Sequence, residues 1–476
     1  MQQIGNQSLV SFMVSDQDRS IAVYNPATQE LLGYAPVSTQ EEIEQGIVRA
    51  HNAQKEWAKL TGKQRAAILQ GWFRLLVENQ DDLSRLMTLE QGKPLAEAKG
   101  EVLYGASFVE WFAEEAKRTY GETIPAPTPD KRMVTIKQPV GVASAITPWN
   151  FPIAMITRKA APALAAGCSF VVKPAELTPL SAFAVVELAY QAGIPRDVLQ
   201  VVVGESAPEV GALFTSHPLI RKLSFTGSTR VGSLLMQQSA HDIKRTSMEL
   251  GGNAPFIVFD DADIDAAVAG AVASKFRNAG QTCVCANRFY VHRNVYDEFV
   301  AKFDDAVKQL KLGNGLDEGV NIGPVISQVA KEGIEGLIQG AIEQGAQPVS
   351  PIVPQSGQFI APVILKNVTQ EMDIVSKEIF GPVAPVLAFE SDEELIEMAN
   401  DTIYGLAAYF YSDNIRRIWK VAEALEYGMV GINDGIISSE VAPFGGVKQS
   451  GIGREGAKQG IDEYMDLKYL CFGGLS

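Results

Sequence analysis

Apolar residues are spaced in two different ways along this chain, and the change falls near residue 140. Upstream, residues 20–36 hold short apolar runs with turn residues between them, which predicts a hairpin. Ser38 followed by Glu41 has the spacing of a capping box and predicts a helix running towards Leu60. Stretches 63–78, 80–90 and 95–118 repeat apolar positions three and four apart, as at Ile68, Trp72 and Leu75, so each predicts a helix. Leu75, Leu76, Trp111 and Phe112 read as contacts between these helices. The pattern breaks at G-E-T-I-P-A-P-T-P-D-K-R, 121–132, whose three prolines exclude a helix interior and suit an arm or an exposed edge. We expect 121–138 to project and help to build an oligomer.

From Val140 onward strands and helices alternate. V-G-V-A-S-A-I leads to T-P-W-N-F-P (147–152), a helix to Gly167, strand C-S-F-V-V and then K-P-A-E (173–176). A helix ending at Gly193, strand V-L-Q-V-V-V, a helix over 206–216, strand R-K-L-S-F, the turn 226–229 and another helix follow. Such βα units with short connections imply an α/β fold, its mostly parallel sheet covered on both faces. Ligands of such sheets bind at the carboxyl ends of strands, where Asn150, Lys173, Glu176 and Gly227 all fall. Past M-E-L-G-G-N (248–253) a second series begins with strand F-I-V-F and helices over 263–278 and 294–310. It continues with a helix capped by Ser391 and Glu394, strand L-A-A-Y-F-Y and a late strand at 430–433. The apolar tail 466–476 reads as a strand paired with another element, the arm at 121–138 being the partner we expect.

Composition narrows the classes. At 476 residues the chain has room for two or three domains. Its 41 Lys and Arg against 56 Asp and Glu give a net charge of −15, so nothing favours nucleic acid or an anionic membrane as a partner. An anionic ligand must then be held by local positive groups. Four cysteines argue for a reducing compartment, and the N-terminal residues lack a secretory pattern. No apolar run reaches the ~18 residues of a membrane span. The expectation is a soluble cytoplasmic protein.

Several residues can carry chemistry. Cys283 stands in F-R-N-A-G-Q-T-C-V-C-A-N-R (276–288), after a Gly-Gln-Thr turn and two residues before Cys285. A thiolate is intrinsically nucleophilic, although a cysteine that merely packs would look the same. Glu249 lies between Met248 and Leu250, where desolvation would raise its carboxyl towards neutrality, as a general base requires. Asn150 can donate to a developing oxyanion, and asparagine is also common in turns for local reasons. The junction 226–229 offers a glycine and a helix N-terminus to a phosphate, but G-x-G-x-x-G is absent, G-S-T-R-V-G standing at 227–232, so a structural turn reads equally well. Lys173 and Glu176 suit ribose hydroxyls, an ammonium donating and a carboxylate accepting; the carboxylate would also repel a 2′-phosphate, favouring NAD over NADP. A surface ion pair is the plain alternative. The four histidines show no ligand spacing, so no metal site is expected.

Taken together, T-P-W-N-F-P, K-P-A-E, F-T-G-S-T (225–229), M-E-L-G-G-N, G-Q-T-C (280–283), K-E-I-F-G-P (377–382) and P-F-G-G-V-K-Q-S-G (443–451) resemble the aldehyde dehydrogenase superfamily in order and spacing. Within it, W-N-F-P-I-A-M-I-T-R-K, the 276–288 stretch and I-I-S-S-E-V-A-P-F-G-G are most similar to the succinate-semialdehyde dehydrogenase group. The resemblance implies Cys283 as nucleophile, Glu249 as general base, and Asn150 with the Cys283 N–H as oxyanion hole. It implies cofactor contacts at Trp149, Lys173, Glu176, Gly227, Ser228, Leu250, Glu378 and Phe380, and a proton-relay role for Glu455. Arg158, Arg277 and Ser438 match residues that bind a distal carboxylate, and K-P-A-E, against a serine in NADP-preferring members, agrees with NAD. The implied fold is a Rossmann-type cofactor domain (1–120 and 139–250), an α/β catalytic domain (251–465) and a β-arm oligomerisation element (121–138 and 466–476) that makes a homodimer or homotetramer. Cys285 is then either a packing neighbour or a redox partner that closes a disulfide with Cys283. The alternatives are a dehydrogenase for glutarate semialdehyde or another short-chain aldehyde, and an inactive structural or binding relative.

Overall fold

The computed structural model describes residues 3–15 and 19–475; Met1, Gln2, Asp16, Gln17, Asp18 and Ser476, included in the expected domain spans, lie outside them. The opening hairpin forms, Ser20–Tyr24 pairing antiparallel with Leu31–Pro36. Four helices follow: Gln40–Trp57, Gly62–Glu78, Gln80–Gln91 and Leu95–Glu115. The first begins one residue later than the sequence suggests. Its capping box is Thr39 with Glu42: the Thr39 hydroxyl accepts the Glu42 N–H at 3.2 Å, and the Glu42 carboxylate accepts the Thr39 N–H at 2.9 Å. Ser38 is already committed elsewhere, its N–H donating to the Val203 carbonyl at 2.8 Å. The same signal at Ser391 is correctly placed, its hydroxyl accepting the Glu394 N–H at 3.2 Å.

The strand–helix series builds a six-stranded sheet in the order Gly451–Ile452, Arg245–Glu249, Ile220–Thr226, Val142–Ile146, Ser169–Lys173, Leu199–Val201. All neighbours run parallel except Gly451–Ile452, which returns from late in the chain to pair antiparallel with Arg245–Glu249. From Val142–Ile146 the chain builds outwards to one edge, then crosses back to lay Ile220–Thr226 on the other side. That reversal opens a crevice at the carboxyl ends of these two strands, the preferred ligand position in an open α/β sheet. The loop 147–152 and the turn 226–229 flank it.

The helix Ala154–Ala166 leaves this crevice with all of its residues buried. At its C-terminal end the Trp57 indole donates to the Leu164 carbonyl at 3.0 Å and the Arg65 guanidinium to the Ala165 carbonyl at 2.9 Å. These bonds satisfy carbonyls that an ending helix leaves orphaned.

The second series forms a seven-stranded sheet in the order Gln347–Pro348, Val363–Lys366, Val383–Phe389, Ala286–His292, Ala254–Val258, Ala407–Tyr411, Met429–Ile432, parallel apart from the short first strand. The tail Met465–Phe472 pairs antiparallel with Arg132–Pro139 along its whole length, as its apolar character predicts. In this three-stranded arm Met465–Phe472 is an edge, with Leu467, Tyr469 and Phe472 exposed. Among the described residues no helix is long and apolar enough to cross a membrane.

The cap register is testable. Thr39→Ala removes the hydroxyl acceptor and should destabilise the first turn by about 1 kcal/mol, seen as faster hydrogen exchange at 40–43, whereas Ser38→Ala should leave that exchange unchanged.

Candidate active site

Cys283 is carried by a turn with an uncommon backbone. Asn278, Ala279 and Gly280 have φ values of +51°, +54° and +76°, three consecutive left-handed residues of which only the last is glycine. Each of the other two costs roughly 1–2 kcal/mol relative to a right-handed conformation, so the surroundings must hold them there. Asn278 supplies much of that hold. Its side chain accepts from Gln91 Nε2 at 2.9 Å and donates to the Asn150 carbonyl at 3.0 Å, while its N–H donates to Glu97 at 2.7 Å. Gln281 clamps the other side, donating to the Asn278 carbonyl at 3.0 Å and accepting the Ile326 N–H at 2.9 Å. At Gly280 any Cβ would collide with the Gly381 carbonyl, because the K-E-I-F-G-P segment closes over the turn. Gly252 is needed for the same kind of reason, since its Cα side faces the Cys283 carbonyl oxygen too closely for a side chain.

Beneath the turn lies a buried charge network. Lys93 ion-pairs with Glu101 and donates to the Asn150 carbonyl at 2.7 Å. Glu101 in turn accepts the Ile153 and Ala154 N–H groups at 3.0 and 3.2 Å, at the start of the buried helix Ala154–Ala166. A carboxylate there satisfies orphan donors and complements the positive end of the helix dipole. Asn150 is itself buried, and its Nδ2 donates to the Gln281 carbonyl at 3.0 Å. The N–H of Cys283 has no partner among the described residues.

Cys283, Arg158, Arg277 and Ser438 line one cavity of about 280 Å³, closed by Phe151, Met155 and Phe444. The two arginines are not equivalent. Arg158 is fully buried, its Nε 2.5 Å from Glu455 and its guanidinium 4.1 Å from the centre of the Phe444 ring. Arg277 makes no ion pair among the described residues and lies 5.5 Å over the Phe151 ring. Tyr104 also reaches this cavity, its buried hydroxyl without a hydrogen-bond partner among the described residues. Burial pushes the Cys283 thiol up to about 12; Arg158 and Arg277 pull it down, while Glu378 and Glu249 push the same way as burial.

Glu249 ends its strand opposite Gly451 and is buried, with neither carboxylate oxygen hydrogen-bonded among the described residues. Desolvation raises its pKa well above the usual carboxylate range, and the neighbouring charge of Glu455 raises it further. Glu455 behaves oppositely. Burial opposes its charge, but the ammonium of Lys159 and the guanidinium of Arg158 outweigh burial and keep its carboxyl low. Two adjacent carboxyls are thus driven apart, one towards the proton and one away from it, the arrangement that separates acid–base roles.

The remaining predicted residues gather around the crevice. Lys173 Nζ and Glu176 Oε1 are 2.5 Å apart at the end of Ser169–Lys173. The Gly227 N–H donates to the Glu249 carbonyl at 3.1 Å, and Ser228 caps the helix Thr229–Ser239. The N–H groups of Thr229 and Arg230, at the start of that helix, have no partner among the described residues, which suits an anion. The Leu250 N–H donates to the Ser450 carbonyl at 2.9 Å. Glu378 accepts the Gly252 N–H at 3.0 Å, and burial pushes its carboxyl up to about 7. Phe380, with φ of +53°, meets Trp149 edge-on at 5.6 Å. Cys285 is a buried free thiol donating to the Lys275 carbonyl at 3.2 Å.

Sequence reasoning missed Lys93, Glu97, Glu101 and Tyr104, and passed over the anchoring side chains of Asn278 and Gln281. The first three recur every fourth residue in K-P-L-A-E-A-K-G-E, a spacing ordinarily read as a solvated helix face.

The chain belongs to the aldehyde dehydrogenase family, whose profile matches residues 12–470. Among its relatives, the glutarate-semialdehyde dehydrogenase of Pseudomonas putida is 58% identical over 96% of this chain and 95% of its own length. The succinate-semialdehyde dehydrogenase GabD of Escherichia coli, whose name specifies NADP(+), is 57% identical over 98% of each. A crystal structure of an aldehyde dehydrogenase from Brucella melitensis superposes with a TM-score of 0.98 at 56% identity, covering 99% of both chains.

The thiol environment gives an expected outcome. Alkylation of Cys283 by iodoacetamide in the ligand-free protein, followed by mass spectrometry, should keep accelerating with pH beyond 9 and show no plateau near neutrality.

Proposed function

We propose that this protein oxidises succinate semialdehyde to succinate with NAD(P)+. The observation that carries the reading is the single cavity that joins Cys283 to Arg158, Arg277 and Ser438, so that a short chain held by its carboxylate presents its aldehyde to the thiol. Cys283, as thiolate, adds to the aldehyde carbon. The Cys283 N–H and the Asn150 amide, once turned from the Gln281 carbonyl, stabilise the oxyanion. When bound, the nicotinamide supplies the hydride acceptor, and the carbon is left as a thioester on Cys283. Glu249, unpaired and with a raised pKa, takes a proton from the water that hydrolyses this thioester. Glu455 fixes Arg158 and Lys159 beside it.

The crevice fits a dinucleotide. The free N–H groups at the start of Thr229–Ser239 suit a phosphate, Lys173 and Glu176 suit ribose hydroxyls, and Glu378, Phe380 and Trp149 suit the nicotinamide end. Residues 1–120 and 139–250 then form the cofactor domain and 251–465 the catalytic domain. The exposed apolar edge of Met465–Phe472, with 121–138, is the proposed contact in a homodimer or homotetramer.

Glu176 supports NAD+, because its carboxylate would repel a 2′-phosphate. The NADP(+)-named relative weighs on the other side. Glutarate semialdehyde is the second reading, favoured by the Pseudomonas relative; one methylene changes selectivity by only ~1–3 kcal/mol.

Two assays test these roles. Rates at 340 nm with succinate semialdehyde should favour NAD+, and Glu176→Ser should raise kcat/KM for NADP+ by about tenfold; unchanged cofactor selectivity in the variant would remove Glu176 from the ribose site. Glu249→Gln should still reduce one equivalent of cofactor in a burst and then stall, its steady-state rate falling by about 100-fold or more, whereas Cys283→Ala should give no burst.

A further inference from the structure

Glu97 stands in the first turn of Leu95–Glu115 and lines the same cavity as Cys283 and Arg277. Its carboxylate accepts the N–H of Asn278, the residue next to Arg277 in the chain. The charges facing it are Lys93 from the preceding turn, Glu101 from the next turn of its own helix, and Arg277 from the nucleophile turn. Of these, Lys93 and Glu101 neutralise each other in an ion pair. Across the cavity, the charge of Arg158 is shared with Lys159 against Glu455. Arg277 and Glu97 therefore remain as the cavity's charges not committed to an ion pair within 4.0 Å among the described residues.

We propose that Glu97 is a specificity residue that sets the charge of the substrate-carboxylate subsite: ionised, it offsets Arg277 and repels an anionic aldehyde; protonated, it leaves Arg277 free to bind one. The proposal rests on the carboxylate-clamp reading above. The hydrogen bond fixes the carboxyl beside the subsite in both states, so the residue works by charge at a constant position. Burial pushes the Glu97 carboxyl up to about 7, although the Asn278 N–H, Lys93 and Arg277 pull it down and Glu101 adds to the rise. Its charge therefore appears as pH rises through neutrality, whereas the substrate carboxylate, with an ordinary pKa of about 4–5, stays ionised throughout. Selectivity for the anionic aldehyde should accordingly fall as pH rises.

The test is the ratio of kcat/KM for succinate semialdehyde over butanal, measured from pH 6 to 8.5, because effects of pH on the chemical steps at Cys283 and Glu249 and on cofactor binding are common to both aldehydes, while the variant isolates the charge of Glu97 from any other. In the wild type the ratio should fall about fivefold across this range, the scale of one like charge across a partly buried site. In Glu97→Gln, which keeps an acceptor for the Asn278 N–H, the ratio should be flat and near the wild-type acid limit. A wild-type ratio that is large but flat would overturn the role of Glu97 and leave the carboxylate clamp standing, and this arm needs no variant. The same fall in Glu97→Gln would also overturn it, because another group would then be titrating. A ratio near one at every pH would overturn the clamp itself and the inference with it.

Discussion

Holding a left-handed backbone turn beneath the Cys283 thiol is the constraint on which the rest of this structure depends. Asn278 and Ala279 would relax to an ordinary conformation if their surroundings allowed it, and Cys283 would move with them. The restraint comes from far along the chain in both directions: Gln91 and Glu97 from early helices, Asn150 from the first sheet, Pro324 and Ile326 from the second half, and Gly381 from above. The large fold is thus the frame for a short, strained segment. Because those restraints come from both sheets' surroundings, neither half of the chain assembles the turn by itself.

Electrostatics follows from the same enclosure. Taking Cys283, Glu249, Glu378 and Glu97 out of water pushes every one of them towards its neutral form. Glu455, flanked by two cations, is held ionised against the same burial. Enclosure thus favours the neutral form at each of these four groups, and only a neighbouring positive charge or donor opposes it.

Much of this was legible in the sequence, and the failures have physical causes. Helices at 62–78 and 80–91 and the pairing of the apolar tail with the arm follow from periodicity, which reports burial directly. A spacing rule sets the first cap one residue early, at Ser38, because Ser38 and Thr39 look alike to it, and the Val203 carbonyl that takes the Ser38 N–H lies far along the chain. Motifs single out Cys283, Arg158 and Arg277, and the fold brings them to one cavity, but no motif shows that the two arginines differ. That Arg158 is locked by Glu455 while Arg277 is not depends on residues 297 positions apart meeting in space. Lys93, Glu97 and Glu101 were invisible because a charged helix face carries the same pattern whether water or another helix covers it.

The capping of Ala154–Ala166 by Glu101 makes the two sides of the cavity mechanically unequal. Because that carboxylate ties the Arg158 helix to Leu95–Glu115, and every residue of the former is buried, this wall of the cavity is one packed block. Ser438 sits instead on a partly exposed segment between Met429–Ile432 and Gly451–Ile452. Reshaping the cavity on the Ser438 side therefore disturbs a surface segment, whereas displacing Arg158 means moving two packed helices together.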